Sequence, residues 1–297
     1  MRSVFAAHLG HNVKLGGRRR PTQPTPHRAR MAHFRLPLKA GATPPALPAS
    51  CDFSAPASAA LRDIYGNDAL GDCVIAARYH GIGTATGNAG DLFHAKLPLI
   101  IADYSAITGY VPGVASTDQG TDEVSAQNWW LKNGYRNGTK PVGVIYIDAN
   151  NVEEVKECLY LFEGADLCAE LPDTWISPFP SSDGYVWDVG TPDPNNGHCF
   201  EGYGYNAKGI LIDSWGLYGT LTWAAAAKLC TEAGGGSMAV VLTPDLVSKA
   251  SGKNPDGYDW GGLIAYFDQL GGTVPEPAPA PPAPPGPAPT PPAPVPT

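Results

Sequence analysis

The chain has 297 residues, 43% of them hydrophobic, with 28 acidic and 20 basic side chains and a formal net charge of −8. That length and apolar content suit one large domain or two small ones. It contains no unbroken apolar run of about eighteen residues, the length a membrane-spanning helix needs.

Charge divides the chain. Residues 1–46 carry nine Lys/Arg and no acid, leaving eleven basic and all 28 acidic residues to the remainder. Such a basic arm suits the acidic body, a nucleic acid or an anionic surface, or stands as a solvated leader. The body's acidity argues against nucleic acid as its main partner. The opening MRSVFAAHLGHNVKLGGRRR lacks the continuous apolar core and small-residue cleavage site of a secretory signal. The expected location is the cytoplasm, with non-classical export or phage association as the alternatives.

In chain order, residues 1–46 read as a basic, flexible segment with little periodicity. Residues 47–274 read as the globular part. Cys73-Val-Ile-Ala-Ala starts one helix, and 91–108 is helical with an interruption at Pro98. Residues 121–133 form a third helix, capped by Thr121 or Asp122 and stopped by Gly134. Residues 142–148 are rich in strand formers. Residues 151–162 are a helix capped by Asn151, with Val152, Val155, Leu159 and Phe162 on one face. Strands follow at 165–171, 198–205, 209–215 and 238–244. Helices first and strands second predict an α+β fold with a cleft between the halves. Residues 275–297 hold thirteen prolines and cannot form a packed core. This tail is a polyproline spacer or a docking strip for a partner.

The cysteines Cys51, Cys73, Cys158, Cys168, Cys199 and Cys230 form no Cys-x-x-Cys pair, so neither a zinc knuckle nor a redox motif is signalled. Without a secretory signal, free thiols are expected. No phosphate-binding loop or metal-ligand cluster is evident, and no cofactor is expected.

Cys73, His198 and Asp213 follow one another as nucleophile, base and orienting group. Cys73 follows Gly71-Asp72 at a helix start, where free N–H groups and the macrodipole favour a thiolate. Asp72 is an adjacent negative charge that raises the thiol pKa unless it turns away. His198 opens an apolar strand. Asp213 ends the strand returning through a hairpin at Asn206-Ala207-Lys208-Gly209, which predicts Asp213 beside His198, with Trp215 shielding the pair from water.

Four segments carry a resemblance to the papain-like cysteine peptidases. They are Leu47-Pro48-Ala49-Ser50-Cys51-Asp52-Phe53, then Asn67 to Cys73, then Gln119-Gly120 through Asn133-Gly134, then Gly197-His198 to Ser214-Trp215-Gly216. With its closing segment at 242–263, the chain also resembles papain-like proteins of bacterial and phage genomes. The resemblance implies a helical lobe and an antiparallel β lobe with the site in the cleft between them. It implies Cys73 as nucleophile, His198 as base then acid, Asp213 as orienter, and an oxyanion hole from the Asn67 amide and the Cys73 N–H. The reaction would hydrolyse peptide or isopeptide bonds of a peptide or protein substrate through a thioester. Asn67 stands where the family has Gln, and Asp213 where it usually has Asn. The leader is shorter than an inhibitory prosegment and lacks its helical pattern, which argues against latency. The alternatives are a weakly active or inactive binding module, or an NlpC-type cell-wall peptide amidase, whose Cys-to-His interval is usually shorter.

Overall fold

The computed structural model of the chain describes residues 1–22 and 46–269. The rest of the leader and the Pro-rich tail lie outside the described residues. The first twenty-two residues differ from the flexible arm expected. Strands β1 (Arg2–Ala6) and β2 (His11–Leu15) pair antiparallel around Gly10. Val13 and Leu15 alternate with polar neighbours and are buried, together with Ala6, in the main core. The segment's dense charge masks that short period-two signal. After β2 the chain continues as an extended strap through Gly16-Gly17-Arg18-Arg19-Arg20.

The helical part begins with β3 (Cys51–Asp52) and α1 (Ser54–Leu61). Helix α2 (Cys73–Asn88) has no polar stripe, and every residue but Asn88 is buried. A helix apolar or small on all sides is a central helix, and α2 packs on α1 and the sheet. Helix α3 (Leu97–Thr108) carries Pro98 in its first turn. Pro98 therefore opens this helix instead of interrupting a longer one, since its missing N–H is unpaired there anyway. Helix α4 (Glu123–Asn133) is capped by Asp122, whose carboxylate accepts from Ser125 N, and stops at Gly134 with φ +81°.

The remainder comprises β4 (Gly143–Tyr146), α5 (Val152–Phe162), β5 (Ala165–Glu170), α6 (Asp173–Ile176), β6 (Tyr185–Trp187), β7 (Gly197–Tyr205), β8 (Gly209–Ser214), β9 (Leu217–Thr222), α7 (Trp223–Leu229), β10 (Ser237–Leu242) and α8 (Trp260–Gln269). Among the described residues the sheet runs β4-β10-β5-β7-β8-β9-β6, with β3 also on β7. It is antiparallel except for the β6–β9 pair. One core fills the sheet lobe and a second lies around α2, so the α+β architecture of two lobes is as expected. No helix among the described residues is long and apolar enough to cross a membrane.

The expectation of free thiols fails at one pair. Cys168 on β5 lies directly opposite Cys199 on β7, with Cα atoms 4.2 Å apart, and the two form a disulfide. Register alone brings these sulfurs together, and the sequence does not show register. Cys51, Cys73, Cys158 and Cys230 are free.

Peptide mapping without reductant should recover Cys168 and Cys199 in one linked species. Phe200, buried on β7 with its ring edge-to-face on Trp187, should cost about 3–5 kcal/mol on replacement by Ala, read by denaturant unfolding.

Candidate active site

Cys73 is the first residue of α2, and the preceding turn is fixed by Asp118, between α3 and α4. The Gly71 N–H donates to Asp118 at 3.0 Å, as does the Tyr104 hydroxyl at 2.6 Å. Burial pushes Asp118 up, but its bonds to Lys14, Tyr104 and Gly71 outweigh that and hold it below the usual carboxylate range. The Cys199 backbone of β7 lies near enough to Cys73 to act on its thiol, lowering its pKa against the larger effect of burial. The structure thus brings the segment beginning at His198 to the head of α2.

The His198 ring lies flat on the Trp215 indole, with centroids 3.8 Å apart and planes 1° from parallel. Trp215 reaches this position through φ +50°, followed by Gly216 at φ +74°. Its indole N–H donates to the Asn67 carbonyl at 3.3 Å, which ties the loop holding Asn67 to the β lobe. Asn67 itself is buried.

Asp213 does not orient His198. The hydrogen-bond partner of His198 Nε2 is Ser214 Oγ at 2.9 Å. Strand parity is the reason: Asp213 pairs with Glu201 in the β7–β8 register, and Glu201 is three residues from His198, on the opposite face of β7. Ser214, one step along β8, shares the His198 face. Asp213 Oδ2 instead lies 3.0 Å from His80 Nδ1 of α2, a contact without hydrogen-bond geometry. His80 Nε2 donates to the Asp63 carbonyl at 2.7 Å. Burial holds the His80 ring down at about 4 and pushes the Asp213 carboxyl well up.

The leader covers the cleft. Arg18 N donates to Gly197 O at 3.2 Å, Thr121 N to Gly17 O at 3.0 Å, and Arg19 N to Thr121 O at 2.9 Å. The strap thereby runs parallel to the segment at Thr121 and touches both walls. The approach is so close that only glycine fits. A Cβ on Gly120 would lie 2.0 Å from Gly17 O, and one on Gly197 would lie 2.2 Å from Arg18 O. Charge pairs extend along the leader: Arg2 to Asp173, His11 to Asp68, Lys14 to Asp118, Arg18 to Glu123 and Arg20 to Glu170. The described part of the basic arm, residues 1–22, thus pairs with the acidic body.

Covered in this way, the site is electrically quiet. Burial raises the Cys73 thiol to about 12, with a smaller push from Asp72, despite the helix terminus. Burial, then the nearby His80, lowers His198 to about 3. Asp72 is wholly buried with both oxygens unpaired, and burial holds it well above the usual carboxylate range. Desolvation here exceeds the macrodipole effect, which is worth at most about 2 kcal/mol. Glu123, Cys168 and Cys199 place an oxygen and two sulfurs within 4.8 Å of one another. Both sulfurs are spent in the disulfide, and Glu123 is paired with Arg18, so the group does not fit a metal ion.

No protein-family model matches the sequence, and no curated protein is similar to it. Solved structures are similar. Xylellain, a cysteine protease from Xylella fastidiosa, aligns with a TM-score of 0.51 at 15% identity, covering 68% of this chain and 90% of its own. The digestive procathepsin L2 proteinase of the Tenebrio molitor larval midgut aligns at 0.46 and 15%, covering 77% and 78%. A Carica candamarcensis cysteine protease aligns at 0.41 and 14%, covering 66% and 99%. The chain has a papain-like fold.

With a pKa of about 12, roughly one Cys73 in 10⁴–10⁵ is thiolate near neutral pH. Arg18→Ala, which removes the buried anchor of the strap, should raise the rate of Cys73 carbamidomethylation by iodoacetamide at least about tenfold. The rate, read by mass spectrometry, should rise with pH in both proteins.

Proposed function

We propose that the chain is a latent cysteine peptidase that hydrolyses peptide bonds, and isopeptide bonds by the same chemistry, once its leader leaves the cleft. The observation that carries this is the strap itself. An extended backbone hydrogen-bonds to Thr121 on one wall and Gly197 on the other, directly over the head of α2. A groove that holds one extended chain in this way suits a peptide substrate.

In the open state the thiol regains solvent and its proton passes to His198. Nε2 is engaged by Ser214, which leaves Nδ1 for the thiol. The thiolate attacks the substrate carbonyl, and the oxyanion is met by the Cys73 N–H and the Asn67 amide. His198 returns the proton to the leaving amine as the carbon–nitrogen bond breaks, giving a thioester. Water, deprotonated by His198, then releases the acid and restores the thiol. Ser214 holds the ring, and Trp215 keeps water from the His198–Ser214 bond. Substrate engagement requires displacement of residues 16–20, so the leader, though short and not helical, acts as a block.

The Cys168–Cys199 bridge fits an oxidising compartment better than the cytoplasm.

Turnover of a casein digest by the Arg18→Ala chain should vanish in Cys73→Ala and His198→Ala. Ser214→Ala should lower kcat roughly tenfold or more through loss of ring orientation, and Asp213→Asn should cost less than Ser214→Ala. Equal turnover with and without Cys73 would overturn the proposal.

A further inference from the structure

The strap also shows which side chain the cleft is built to hold; this rests on the peptidase reading above. Arg18 enters a pocket where only 2% of its side chain remains exposed. Its Nε and Nη2 donate to Glu123 Oε2 and Oε1 at 3.0 and 2.7 Å, and its Nη1 donates to the Gly235 carbonyl. This is the paired-fork geometry that selects guanidinium.

The acceptor is fixed independently of Arg18. Glu123 is the first residue of α4, where the helix favours an anion, and Ser237 Oγ donates to Oε1 at 2.6 Å. The Glu123 side chain is only 3% exposed. If the strap leaves and nothing basic enters, the Glu123 carboxylate loses the cation it is paired with in the pocket, which is unfavourable to the extent that the pocket stays shielded from water. A substrate that brings a cation restores the pair, and an apolar one does not. Selectivity of this kind is strong because the rejected ligand leaves a polar group unpaired.

We infer that the cleft selects peptides presenting an arginine, and less strongly a lysine, to the Glu123 pocket, at the residue whose backbone pairs with Thr121. Glu123 is thus a specificity-determining residue lying apart from the reacting atoms.

The test uses the full chain carrying Arg18→Ala and a fluorogenic peptide library varied one position at a time. One position should favour Arg over Leu by at least about tenfold in kcat/KM. Adding Glu123→Gln should collapse that ratio to near one, whereas Glu123→Asp, which keeps the charge, should retain part of it and guards against a misfolded Gln variant. An Arg preference that is absent, or unchanged by Glu123→Gln, overturns the inference while leaving the peptidase standing. If no peptide is cleaved, the peptidase reading fails and binding decides the pocket. A labelled Gly-Gly-Arg-Arg-Arg peptide should bind the Arg18→Ala chain more tightly than Gly-Gly-Leu-Arg-Arg, in a Glu123-dependent manner by fluorescence anisotropy. Equal binding overturns the pocket as well.

Discussion

Helix α2 touches protein on nearly every side, and its packing on β7 sets where the sulfur of Cys73 can be. The seam contains charge as well as apolar contact. Arg78 of α2 reaches Asp166 of β5 at 3.1 Å, with Glu201 of β7 nearby. Burial pushes the Glu201 carboxyl well up and raises Asp166 too, while Arg78 beside them works against both shifts. A helix held this firmly presents its first residue to the sheet with little freedom. Such pre-positioning is what a thiol and an imidazole on separate lobes need before they can exchange a proton.

The same burial that positions the site also silences it. A solvated cysteine at a helix start would ionise more readily than a free one, yet here desolvation dominates and both members of the pair are neutral. The leader contributes by closing the cleft with backbone bonds on glycine-lined walls and by inserting a cation into an acidic pocket. The uneven charge along the chain becomes intelligible on this basis: a basic arm is the natural ligand of an acidic body in the same molecule.

Much of this was legible in the sequence. Helices α4 and α5 declare themselves through Asp122 and Asn151 caps and apolar spacing, and β5, β7, β8 and β10 through β-rich runs. Cys73 and His198 fall on the elements expected of them. Three misreadings share one cause, since composition masked geometry. The leader's charge concealed the alternation of Val13 and Leu15. Cys168 and Cys199 share no motif spacing and are expected as free thiols, and only strand register sets them opposite one another. The hairpin predicts Asp213 beside His198, although strand parity sends its side chain to α2 and gives Ser214 the histidine. Counting residues from His198 to Glu201 would have fixed the parity of β7, but the β7–β8 register could not be counted, because β7 shifts register between Gly202 and Gly204.

The strap belongs to the same chain as the cleft it fills. A tethered ligand acts at an effective concentration set by the chain and independent of the amount of protein. Closure is therefore unimolecular, and dilution does not reverse it. Any agent that opens the cleft must outcompete a neighbour that never diffuses away, so its potency reflects the internal equilibrium of the fold and is independent of how many copies are in solution.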